Sequence, residues 1–190
     1  KMAAMAPSDR PYMRTGIWET WRHRVPWLLF LMISATFTSG IISAYEGALA
    51  ASVVLTGFIP MLMDTGGNSG GQSSATIIRG LSLGEIQYRD VPRVLLKECA
   101  VALLNGGTLA VANFAKLMLF DRVGLLVSAV VCTTLLAVVL AANLVGSSLP
   151  VLAKRLGFDP AVMASPLITT IVDAIALTVY FNIAKLILGI

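Results

Sequence analysis

The chain has 190 residues, 57% of them apolar and 13% charged, with a formal net charge of +4 and a mean hydropathy of +0.84. Long apolar runs separated by short charged ones mark an integral membrane protein whose spans consume nearly the whole length, which excludes a second, soluble domain. The positive charge belongs to topology and anionic lipid and is not a nucleic-acid footprint.

Residues 1–24 read as a cytoplasmic tail and interfacial helix, and 25–190 as a membrane domain of five spans. The chain begins at Lys1 without an initiator methionine, as a piece of something longer would. Tyr12, Ile17, Trp18 and Trp21 are interleaved with Arg14, Arg22, His23 and Arg24, a mixture that suits the headgroup layer either as a surface helix or as a simple positive anchor. The first span is expected at about 26–46, opening at Pro26. Its length and internal position argue against a signal peptide.

A second span at about 49–79 is apolar only in its first half and from Pro60 becomes rich in glycine and polar residues. Such a segment is tolerated at membrane depth only where protein or a water-filled cavity surrounds it. Residues four apart share a helix face, so Pro60, Asp64, Asn68 and Gln72 form one stripe, while Gly66, Gly67, Gly70 and Gly71 admit a close neighbouring backbone. The glycines alone are equally explained by helix packing. The stripe beside them points to a conduit.

The third and fourth spans fall at about 93–119 and 123–155, the fourth with Asn143 and Ser147 on one face. Cys99 and Cys132 lie inside spans, without metal-binding spacing, and read as packing residues. The fifth span, about 160–189, is apolar almost throughout except for Asp173, expected near the midplane. A charge there costs about 2.5–3.5 kcal/mol on insertion scales, so the acid should meet a polar cavity or a partner. The plain alternative is a protonated acid hydrogen-bonded to a neighbouring helix. Of the 14 Lys and Arg residues, all but Lys116, Arg122 and Lys185 fall on one side. That side is cytoplasmic by the positive-inside rule, placing the amino end inside and the carboxyl end outside.

Asp64, Asp173, Asn68, Asn143, Ser147, Thr169 and Thr170 all offer hard oxygen ligands, which favours Mg²⁺, Ca²⁺ or Mn²⁺ over zinc or copper. One carboxylate per chain is thin for a divalent ion, but a twofold axis would double it, and Mg²⁺ retains its waters and accepts a wide site.

The run P-M-L-M-D-T-G-G-N-S-G-G-Q-S-S from Pro60 and the run F-D-P-A-V-M-A-S-P-L-I-T-T-I-V-D ending at Asp173 resemble the transmembrane domain of the MgtE family of magnesium channels. The likeness begins at Arg24 and continues through the fifth span. It implies an all-α homodimer of five-span subunits in the cell (inner) membrane, with the ion pore on the dimer axis lined mainly by the second and fifth helices. Asp173 would then bind hydrated Mg²⁺, with the backbone carbonyl of Thr169 completing the contact. Asn68 and Asn143 would assist, and Gly67, Gly71, Gln72, Thr170 and Pro166 would line the path. Mn²⁺ and Co²⁺ are the other ions to consider. Proline at 166 is also expected to free the carbonyl of Val162.

Two departures stand out. Members of the family carry an amino-terminal cytoplasmic domain and a CBS pair that sense magnesium, and no stretch here corresponds to this regulatory part. Asp64 stands where relatives have an uncharged residue, either as a second carboxylate ring or paired with a polar group of another helix. A Na⁺- or H⁺-coupled Mg²⁺ exchanger is the alternative to a channel. A remote alternative is an intramembrane serine protease using Ser69 of Gly67-Asn68-Ser69-Gly70. A nucleophilic serine needs a base, and the lone histidine, His23, lies before the first span.

Overall fold

The computed structural model describes residues 12–163 and 166–189. Among these the long helices are α1 (Ile17–Ala44), α3 (Ile59–Ser82), α4 (Val91–Lys116), α5 (Leu125–Arg155) and α6 (Pro166–Leu188), with a short α2 (Glu46–Ala51) after α1. Helices α1, α4 with its flanking turns, α5 and α6 are long and apolar enough to cross a membrane. Helix α3, about 36 Å long, has the length but carries the glycines and polar residues that keep it from being so apolar.

Helix α5 is the central post. It packs against α3, α4 and α6, while α3 lies along both α5 and α6, and α1 rests on α6. The largest core cluster gathers Leu55, Leu62, Leu117, Val130, Leu135, Tyr180 and Phe181 from five segments, at the end where α5 begins and α6 finishes. No residue of α1 is fully buried; Ile41 and Ile42 pack against the core cluster, and exposed residues such as Leu28, Phe30, Ile33 and Phe37 are left to lipid.

Three expectations about helix limits need correction. Pro26 lies inside α1, which runs from Ile17 through the aromatic and basic segment, so among the described residues only the 3₁₀ turn Tyr12–Arg14 precedes the span. The proline removes the bond to the Arg22 carbonyl, but that turn is exposed, at the headgroup end, where water can take the carbonyl. The second span is not one helix. The chain passes through α2 and a 3₁₀ turn, Val53–Phe58, and α3 then begins with Pro60 in its first turn, where a missing N–H costs nothing. The Tyr180 hydroxyl, buried on α6, donates to the Leu55 carbonyl at 2.8 Å and fixes that connector.

The fifth span also divides. Pro160–Met163 is a 3₁₀ turn, and α6 begins at Pro166. Proline suits a first helical position, and the residues between Met163 and Pro166, on which the expected exposure of the Val162 carbonyl depends, lie outside the described residues.

Candidate functional site

Small residues decide how α3 is seated. A Cβ at Gly66 would lie 2.6 Å from Val138 of α5 and 2.8 Å from Val172 of α6, and one at Gly70 would lie 3.0 Å from the Ala142 carbonyl oxygen and from Ile168. At Gly67 it would meet the Thr169 methyl at 3.0 Å, whereas at Gly71 it would meet nothing within 4 Å. The helix therefore presses its glycine face into the α5–α6 groove. Its opposite face, Pro60, Asp64, Asn68 and Gln72, is left exposed in this chain.

Asp173 lies about 10 Å from the start of α6, in its first third. Its neighbour Val172 meets Gly66 beside Val138, however, and Val138 is about 20 Å along the roughly 46 Å of α5. Asp173 is thus level with the middle of the bundle because α6 starts part-way down it. Asp64 is close enough for the two carboxylates to interact electrostatically. Among the described residues neither makes a hydrogen bond or ion pair, so the alternatives of Asp173 bonded to a neighbouring helix and of Asp64 paired there find no partner.

Asp64, Asn68 and Gln72 face Asn105 and Thr108 of α4 across a cavity of about 400 Å³. Asn143 does not join that wall. It is buried on α5, where its Oδ1 accepts from Ser69 Oγ at 2.6 Å and its Nδ2 donates to Glu98 Oε2 of α4 at 3.2 Å. Ser73 Oγ donates to the Asn143 carbonyl at 3.2 Å. Beside these groups is a smaller cavity of about 130 Å³, bordered by Gln72, Thr76, Glu98 and Asn105.

Glu98 escaped the sequence reading. Its place next to Lys97 makes it look like part of the charged loop, yet it shares the α5-facing stripe of α4 with Ala102 and Gly106. Its spacing of four and eight from the small residues Ala102 and Gly106 was the available signal.

The structure thus brings Asp64, Asp173, Asn68, Gly67 and Thr169 to one level of α3 and α6, with Thr170 half-buried on α6. Gly71 and Gln72 continue the stripe. The side chain of Pro166 and the residue before it lie outside the described residues, so the expected place of Pro166 along the path does too. Ser69 has an amide rather than a base as its partner, and His23 is exposed on α1. Among the described residues no three His, Cys, Asp or Glu side chains cluster as a metal cage. Two carboxylates and neutral oxygens suit an ion that keeps its waters.

Residues 59–183 match the MgtE family, described as a divalent cation transporter. The chain is 40% identical over 188 residues to the magnesium transporter MgtE of Thermus thermophilus, covering 99% of this chain and 41% of that protein. It is 33% identical to the protein of the same name from Enterococcus faecalis, covering 86% of this chain and 36% of the relative. For that of Bacillus subtilis the identity is 34%, covering 85% and 36%. The chain therefore spans about two fifths of the length of these relatives.

Proposed function

The chain belongs to the MgtE family, and from that membership we propose that two copies form a channel-like pore for Mg²⁺ across the cell membrane, with hydrated Mg²⁺ held between paired Asp173 side chains. One observation carries this reading. Asp64, Asn68 and Gln72 are exposed in this chain, Asp173 lies half-buried near Asp64, and none of the four makes a side-chain hydrogen bond or ion pair among the described residues. Unsatisfied polar groups in the hydrocarbon layer cost several kcal/mol each, so water, ions and a second copy are what can meet this face.

The proposed mechanism follows from charge and hydration. Two ionised Asp173 side chains balance one divalent cation. Magnesium sheds its inner waters reluctantly, so the acids act through those waters, with the Thr169 carbonyl and the Asn68 amide accepting from the same shell. Asp64 adds negative potential at that level and draws cations in. Mn²⁺ and Co²⁺ are the competing ions. The amino end is cytoplasmic, since the cations cluster on its side.

The test is Mg²⁺ uptake into proteoliposomes. Wild-type protein should admit Mg²⁺ down its gradient with no Na⁺ or H⁺ gradient imposed, and Asp173→Ala should abolish the flux. Uptake that required an opposing Na⁺ or H⁺ gradient would instead make it an exchanger.

A further inference from the structure

We propose that the small cavity between α3, α4 and α5 is a second, separate cation site, built on Glu98 and suited to a partly dehydrated monovalent ion such as Na⁺. Glu98 is only 9% exposed and lies opposite Asn143, about 27 Å along α5 and so deep in the bundle. One of its oxygens accepts from Asn143. The other makes no hydrogen bond among the described residues, and Glu98 borders the cavity. Among the described residues no Lys or Arg pairs with it, and Lys154 donates to the Leu81 carbonyl instead.

The hydroxyls around the cavity have their hydrogens committed elsewhere. Ser69 donates to Asn143 Oδ1, Ser73 to the Asn143 carbonyl and Thr76 to the Gln72 carbonyl. Each therefore turns lone pairs, not a proton, toward the cavity. The Asn143 amino group donates to Glu98. Gln72 and Asn105 can each turn an amide oxygen toward the cavity, so hydroxyl, amide and carboxylate oxygens together offer a cation acceptors around one negative charge.

Charge chooses the ion. A single carboxylate neutralises a monovalent ion and leaves a divalent one half compensated. Ser69, Gln72 and Asn105 also border the larger cavity with Asp64, which supplies a way in. The site does not depend on Asp173, and occupancy can be read without any transport.

The experiment is binding of ²²Na⁺ to the purified full chain in nanodiscs, in Mg²⁺-free buffer with choline as the replacement ion. Wild type and Asp173→Asn should bind Na⁺ alike, and Glu98→Gln should weaken binding at least about tenfold by removing the charge. Should Glu98→Gln fail to give monodisperse protein, Asn105→Leu decides, because it changes an exposed cavity wall and should weaken binding about fivefold or more. Absence of Na⁺ binding by wild type, undiminished binding by either cavity variant, loss of binding in Asp173→Asn, or displacement of Na⁺ by Mg²⁺ in that variant would each overturn the proposal.

Discussion

The backbone of Gly146 on α5 rests directly on the carbonyl of Gly70 on α3, with no room for a Cβ between them. This contact sets how deeply α3 is drawn in, and so how the polar stripe on its far side is presented. Gly146→Ala must push the two helices apart. It should cost about 1–3 kcal/mol, as overpacking of a tight core does, and lower the thermal midpoint in detergent. Gly71→Ala, which meets open space, should leave that midpoint unchanged.

Tyr180→Phe tests the connector that replaces the first half of the second span. The change removes the hydroxyl that satisfies the buried Leu55 carbonyl and leaves that oxygen without its partner. A loss of about 1–3 kcal/mol is expected, read as a lower thermal midpoint. Proteolysis within Val53–Phe58 should become faster.

Asp64→Asn separates the two carboxylates. Asp64 is expected to assist rather than hold the ion, so Mg²⁺ uptake in proteoliposomes should fall about threefold to tenfold, as about 1 kcal/mol of lost attraction implies. Discrimination against Na⁺ should fall with it. A loss as complete as that of Asp173→Ala would make Asp64 an equal partner in holding the ion.

Asp173→Asn keeps the shape of the side chain and removes its charge. It should abolish Mg²⁺ uptake while the protein still elutes as a dimer in size-exclusion chromatography with light scattering, since the residue makes no hydrogen bond or ion pair within the described chain.

The helical character of the chain and the stripe of Asp64, Asn68 and Gln72 were legible in sequence because they rest on two local signals, hydropathy and a spacing of four. The break at Ser52 and the 3₁₀ turn Pro160–Met163 were harder to see. Apolar composition continues across the first, and a tertiary contact, Tyr180 with Leu55, holds the chain out of the helix there. Asp173 was expected at mid-depth from a long unbroken helix. It lies level with the middle of α5 for another reason, namely that a shorter α6 starts beside Gly70. Asn143 was legible as polar and inward, but its partners, Ser69 and Glu98, are 74 and 45 residues away in sequence. Long-range pairing of that kind leaves no local periodic trace.

The most direct test of the central claim is a structure of the dimer soaked with Mn²⁺ as an anomalous stand-in for Mg²⁺. The account predicts an anomalous peak on the twofold axis between the two Asp173 side chains, at a distance that leaves a layer of water between metal and carboxylate. Two Asp173 side chains turned toward lipid, or an occupied metal site away from them with none on the axis, would contradict it.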